Sequence, residues 1–240
     1  MSSMNLESVA VRRETTFYTR DELAAMVART IRAALTRAMV ERRRASLVVS
    51  GGSTAKLIFP LLRAERIAWE NVTVTLADER WVPTTSEHSN EALVRRELLV
   101  GPASAARFVS LYASGYTSVE GCAVRERALS FIERPYDVVL LGMGDDGHVA
   151  SLFSSTKAEV LDGSASSLVV AGTAPAEPRE RVSLTPRALL DAQRVLLVFT
   201  GHSKLRTYER ARNEGSLSEL PVRAILHGPT KGEVDVYWAP

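Results

Sequence analysis

The chain has 240 residues, 45% hydrophobic and 24% charged, with a net charge of +2, enough apolar material for one large α/β domain or two small ones. So balanced a charge gives no reason to expect a nucleic-acid partner, and no apolar run nears the ~18 residues of a membrane span. The single cysteine, Cys122, excludes an intramolecular disulfide and, with an N-terminus (MSSMNLESVAVRRE) lacking a signal-peptide core, points to a reducing cytoplasm.

The stretch TRDELAAMVARTIRAALTRAMVERRR predicts a long amphipathic helix, with Thr19 as N-cap and Glu22 completing a capping box. The basic run within Glu41–Ala45 complements the dipole at its end. Ser46–Ser50 predicts a buried strand, and Ala55–Ala64 a helix whose regularity Pro60 limits. Val72–Ala77 is the next strand, and SNEALVRRELL opens a helix capped by Ser89 or Asn90. RFVSLY is a weaker strand, SVEGCAVRERALSFIE a helix, and YDVVLLG a strand. SLVVAG and RVSLT are further strands, the second leading into PRALLDA. RVLLVFTG is the clearest strand, HSKLRTYERARNEG the helix after it, and PVRAILHG and VDVYWAP close the chain. Short β-branched strands with little polar alternation, separated by helices, predict a mostly parallel, Rossmann-like α/β sheet with helices on both faces. With no repeat or linker, one domain over residues 1–240 is expected, and AGTAPAEPRER (Ala171–Arg181) is its most loop-like stretch.

Open parallel sheets bind ligands beyond the carboxyl ends of their strands, and four polar, glycine-bearing clusters fall there: SGGST, ADERW, GMGDDGH and TGHSK. In SGGST, Gly51 and Gly52 allow a tight turn and close backbone approach. Ser53 and Thr54 add hydroxyls at a helix N-terminus, where amides and dipole attract anions. An ordinary βα turn with a Ser/Thr cap is the alternative, and the spacing fits neither a P-loop nor a dinucleotide fingerprint. In DERWVP, Arg80 offers a fork for phosphate or carboxylate, while Asp78 orients Arg80 or accepts from a sugar hydroxyl. A surface salt-bridge cluster would read the same way.

In GMGDDGH, three glycines free the backbone to turn at the sheet's mouth. His148 is read as a general base, with Asp146, in preference to Asp145, holding its tautomer; a purely structural histidine is the alternative. His88, His202 and His227 are scattered and no HxxxH or CxxC spacing occurs, so no metal site is expected. Lys204 of TGHSK is either a point charge for a phosphate or an exposed helix lysine, and Arg181 of RVSLT either reaches the ligand or is solvated. There is no G-x-S-x-G elbow and no dinucleotide loop, so neither a serine nucleophile nor a nicotinamide or flavin is expected.

The ordered set SGGST, DERWVP…SEHSN, LLGMGDDGHVASLF, RVSLT and TGHSK resembles the 6-phosphogluconolactonase family, along nearly the whole chain to the closing DVYWA. The resemblance implies an α/β fold shared with sugar-phosphate isomerases. It implies hydrolysis of 6-phospho-D-glucono-1,5-lactone to 6-phosphogluconate, a pentose phosphate pathway step, with no cofactor. Position by position it implies His148 as general base, and Gly51, Gly52 and Ser53 as the phosphate loop. Asp78 and Arg80 match the DER acid and arginine, Lys204 the phosphate-binding lysine, and Arg181 the arginine of RVSLT. The chain departs from the family's usual pattern at Ala55 and Ser154, where proline is common, and at Val149, where a threonine usually places a hydroxyl beside the base. The implied partner is a small sugar-phosphate lactone; a monomer is expected, with a weak dimer as the alternative.

Glucosamine-6-phosphate deaminases share the GxGxDGH loop, but a glutamate that assists ring opening stands where this chain has Phe153, and their acid segment reads DEY. A sugar-phosphate sensor would keep the anion grip without turnover. Such regulators usually add a helix-turn-helix, and the pairing of His148 with Asp146 favours catalysis.

Overall fold

The computed structural model describes residues 12–240. Most of the N-terminal stretch inspected for a signal peptide, residues 1–11, therefore lies outside the described residues. The elements run β1 (Arg12–Thr16), α1 (Arg20–Arg42), β2 (Ala45–Val49), α2 (Ser53–Ala64), β3 (Val72–Leu76), β4 (Asp78–Arg80), α3 (Asn90–Glu97), β5 (Arg107–Val109) and α4 (Ser118–Leu129). They continue with β6 (Val138–Leu141), α5 (Ala158–Leu161), β7 (Val169–Thr173), β8 (Glu180–Leu184), α6 (Pro186–Leu189), β9 (Arg194–Thr200), α7 (His202–Ala211), α8 (Arg223–His227) and β10 (Glu233–Ala239).

Seven strands form one sheet in the order β1-β10-β9-β6-β2-β3-β5, every pairing parallel. All residues of β2 and β6 are buried, as expected of central parallel strands covered on both faces. The core they share with Leu23, Ile31, Phe59 and Trp69 supplies the folding drive, at roughly 1.5–3 kcal/mol for each large apolar side chain taken from water. The sheet is thus the predicted mostly parallel α/β sheet.

The long first helix begins as its capping box requires: Thr19 accepts from Glu22 N–H, and the Glu22 carboxylate accepts from Thr19 N–H. The second helix begins at Ser53, two residues before the predicted start, because the glycine turn hands directly into it, and it runs through Pro60 to Ala64. The strand β1 has no counterpart in the sequence reading; it is an edge strand of three charged residues followed by two threonines, which carries little hydrophobic signal.

One topological expectation needs correction. SLVVAG and RVSLT do not join the parallel sheet; as β7 and β8 they form a small antiparallel sheet with β4, the DER segment itself. One reason is visible in β7, most of whose residues are only partly buried, unlike the central strands. Another is the short loop between β7 and β8, which suits a hairpin and is too short for a parallel crossover.

The order β9-β6-β2-β3 brings the carboxyl ends of four neighbouring strands side by side. From β2 the chain moves outward through β3 to β5, then returns to place β6 on the other side of β2. The switch point between β2 and β6 is where a crevice opens in such a sheet.

Candidate active site

SGGST follows β2, DER follows β3, GMGDDGH follows β6 and TGHSK follows β9. Their residues line a single cleft of about 180 Å³, which includes Gly51, Gly52, Ser53, Asp78, Arg80, His148, Arg181 and Lys204. Asp146, the carboxylate expected to hold His148, is outside this lining but touches the imidazole.

The imidazole is set by its own loop. Asp146 Oδ1 lies 2.6 Å from His148 Nδ1, and the same oxygen accepts from His148 N–H at 3.2 Å. The bond to His148 holds the Asp146 carboxyl below the usual carboxylate range, burial opposing it. With Nδ1 engaged by a carboxylate, Nε2 is left to exchange a proton at the cleft. Asp145 does not share this role: its side chain is exposed, and its carbonyl accepts from Thr207. Phe153 packs beside the imidazole with ring centroids 5.0 Å apart, so an apolar face stands where deaminases carry an acid. Val149 is fully buried in the core and absent from the cleft wall, so its side chain serves packing rather than the cleft.

The cations come from three elements. Arg80 on β4 and Arg181 on β8 stand opposite one another in the antiparallel register. Two like charges so placed repel; burial and the neighbouring Arg80 pull the Arg181 pKa down. Lys204 joins them from the first turn of α7. Among the described residues none of the three has a carboxylate within 4 Å. Two donors in the same wall, Arg80 Nε and Ser50 Oγ, are buried without a partner, a situation that an anion would relieve.

The helix ends agree. α1, α3 and α4 each carry a side-chain cap and an acid in the first turn. α2, whose first residues line the cleft, and α7, which reaches it through Lys204, have neither; each starts from a glycine at positive φ, Gly52 at 94° and Gly201 at 92°. Uncapped amides and an unopposed dipole are a standing attraction for a dianion.

Of the two roles open to Asp78, the structure speaks against one, the orienting of Arg80, and leaves the carboxylate in the cleft wall for the other, accepting from a hydroxyl. Asp78 does not orient Arg80: its carboxylate accepts from Ser151 Oγ at 2.6 Å and from Asn90 Nδ2 at 3.4 Å. Arg80 Nη1 instead donates to His88 O at 2.7 Å and Asn90 Oδ1 at 2.9 Å. Glu79, fully buried, accepts from the N–H groups of Arg80, Asn90 and Glu91 and from Ser89 Oγ, and so caps α3. Burial raises its pKa against these four bonds. The glycine at 51 is needed for Asn90, since a Cβ there would fall 2.0 Å from Asn90 Oδ1. Asn90 lies within the SEHSN motif and Ser151 within LLGMGDDGHVASLF, but nothing local in the sequence gives either this part, because both depend on contacts between distant segments.

A larger cleft, about 270 Å³, opens at the amino ends of β2 and β3, lined in part by Arg42, Arg44, Ser46, Glu133 and Asp137. Its cations are already matched, Arg42 with Asp137 and Arg44 with Glu133, so it offers no spare charge. Among the described residues no group of three or more His, Cys, Asp or Glu is placed to hold a metal ion.

A family model for glucosamine-6-phosphate isomerases/6-phosphogluconolactonase matches residues 18–238. The 6-phosphogluconolactonase of Pseudomonas putida is 39% identical over 220 residues, 91% of this chain and 89% of the relative. That of Mesorhizobium japonicum is 39% identical over 226 residues, 93% and 94% of the two chains. The crystal structure of a 6-phosphogluconolactonase from Shewanella baltica superposes with a TM-score of 0.91 at 38% identity, covering 97% of this chain and 99% of that one. A monomeric glucosamine-6-phosphate deaminase, at 18% identity and a TM-score of 0.76, shares the fold alone. With a match over almost its entire length, the chain belongs to the glucosamine-6-phosphate isomerase/6-phosphogluconolactonase family.

Proposed function

We propose that the protein hydrolyses 6-phospho-D-glucono-1,5-lactone to 6-phospho-D-gluconate, with His148 as the general base. The observation that carries this is the meeting, in one cleft, of an imidazole held by a carboxylate and three cations without acidic partners. The relatives named above are 6-phosphogluconolactonases, which gives the substrate class.

The 6-phosphate is held by Lys204 and the open amides of α2 and α7, with Ser53 adding a hydroxyl, and this remote grip orients the lactone carbonyl. His148 takes a proton from water as its oxygen bonds to C1. The carbonyl electrons move onto oxygen, and cationic or amide donors must meet that oxyanion. Gly144 N–H is not one of them, being engaged with His148 O at 2.9 Å; Arg80 and the amides opening α2 remain. Collapse of the intermediate breaks the bond from C1 to the ring oxygen, which receives the proton from His148. Asp146 keeps the imidazolium in register through Nδ1, while Asp78 is itself fixed in the wall by the bonds it accepts from Ser151 and Asn90.

The proposal needs no cofactor and no nucleic acid, and takes the protein to be a cytoplasmic monomer; among the described residues no helix is long and apolar enough to cross a membrane. The direct experiment supplies freshly prepared 6-phospholactone and, separately, glucosamine 6-phosphate to the purified protein. Lactone consumption above the spontaneous rate, with no ammonia from the amino sugar, is expected; ammonia release with no lactone turnover would reverse the assignment. Lys204→Ala should weaken 6-phosphogluconate binding, and unchanged affinity would remove Lys204 from the phosphate site.

A further inference from the structure

The loop that carries His148 is held from a direction the motifs do not disclose. Gly142–His148 contains three glycines, so fixing it costs more backbone entropy than an ordinary loop of that length. The Asp146–His148 bond is a weak tether for it, because the two side chains are 57% and 36% exposed.

The backbone is clamped instead on both sides of Asp146. On one side Thr207 of α7, a buried residue, donates its hydroxyl to Asp145 O at 2.7 Å. On the other, Val222 N–H donates to Gly147 O at 2.8 Å. Leu220 occupies the space a side chain at 147 would need, a Cβ there falling 2.7 Å from it. Leu220 and Val222 belong to a segment whose course is set by the buried Arg223. Its guanidinium donates to Asn213 O at 3.1 Å, Ser216 O at 2.9 Å and Glu219 Oε2 at 2.9 Å.

We propose that Thr207, with the Arg223-organised segment opposite it, is a positioning residue for the Asp146–His148 pair. Thr207 fixes the carbonyl of Asp145 and the segment, through Val222, that of Gly147; together they select the backbone geometry in which the Asp146 carboxylate meets Nδ1 of His148. Thr207 itself is not part of the cleft wall. This inference rests on His148 being the base.

Thr207→Val keeps the shape and removes the donor; Thr207→Ser keeps the donor and removes a methyl group. The full-length variants are assayed for kcat and KM on the 6-phospholactone, and the His148 ring resonances are followed by NMR. Thr207→Val should lower kcat about tenfold with KM within about twofold, a partial loss of the effect of a general base. It should also shift the His148 resonances, and Thr207→Ser should keep both near the parental values. Leu220→Ala acts on the same loop through Gly147 and should show the same signature, which decides the matter if Thr207→Val does not fold. Parental kcat and resonances in Thr207→Val, or an equal loss in Thr207→Ser, would overturn the proposal. If the parent itself consumes no lactone, it is the lactonase assignment that falls, and the resonances alone then decide whether Thr207 positions the pair.

Discussion

Replacing Gly144 by alanine should displace the imidazole of His148, the proposed base, while leaving the fold in place. A Cβ at 144 would lie 2.2 Å from Cε1 and Nδ1 of His148 and 2.6 Å from Asp146 Oδ1, separations that non-bonded atoms do not tolerate. Something must move. The backbone at 144 is tied at both groups, its N–H to His148 O at 2.9 Å and its carbonyl from Gly147 N–H at 3.1 Å. The imidazole, on the open side of the loop, is the freer part and should swing away from Asp146. A positioned general base contributes about 10²–10⁴-fold, so kcat should fall by at least about 100-fold. Stability should barely change, because Gly144 is not among the residues at positive φ, and alanine is sterically allowed there apart from this contact. A compatible Gly→Ala change gains roughly 0.4–1 kcal/mol through the unfolded chain, which offsets the loss of an exposed Asp–His contact worth about 0–1 kcal/mol. Lactone hydrolysis corrected for the spontaneous rate, 6-phosphogluconate calorimetry and a thermal melt test all three parts. A folded Gly144→Ala protein with parental kcat would refute the reasoning that the imidazole must sit where it does.

Glu79→Ala should destabilise the protein, since it leaves alone the four donors that Glu79 now serves, at roughly 1–3 kcal/mol for each. Its pH dependence has a fixed sign: burial raises the Glu79 pKa in the folded state, so its stabilising contribution is full below the unfolded value of ~4.3 and is lost as pH rises through the folded one. Urea melts at acidic and neutral pH should therefore show the gap between variant and parent narrowing as pH rises, and a widening gap would contradict the sign. Cys122, half-buried and with its thiol pushed up to about 11, should be alkylated at pH 8 some ~200-fold more slowly in the folded protein than in urea, where its pKa is ~8.5. Equal rates would mean that the thiol is not shielded.

Much of the site was legible because its pieces obey local rules. The capping box at Thr19 and Glu22 places α1, and glycine-bearing polar clusters at the ends of apolar runs mark four strand ends that do converge. What stayed hidden depends on contacts between remote segments. DER becomes a strand only because β8 lies beside it, and Asn90 acquires its place by bridging Arg80 and Asp78 over Gly51. Ser151 and Thr207, small hydroxyl residues in ordinary settings, carry no pattern that sets them apart; their meaning lies in where each side-chain hydroxyl donates, to Asp78 and to Asp145 O. Of the two roles open to Asp78 in the sequence, the orienting of Arg80 rested on adjacency, whereas in a strand residues two apart share a face without their ends having to meet.

The most direct test separates holding from reacting. His148→Ala, titrated with 6-phosphogluconate and assayed on fresh lactone, should bind the product with affinity near that of the parent while losing at least about 100-fold in kcat. Parental turnover in that variant would remove the imidazole from the chemistry.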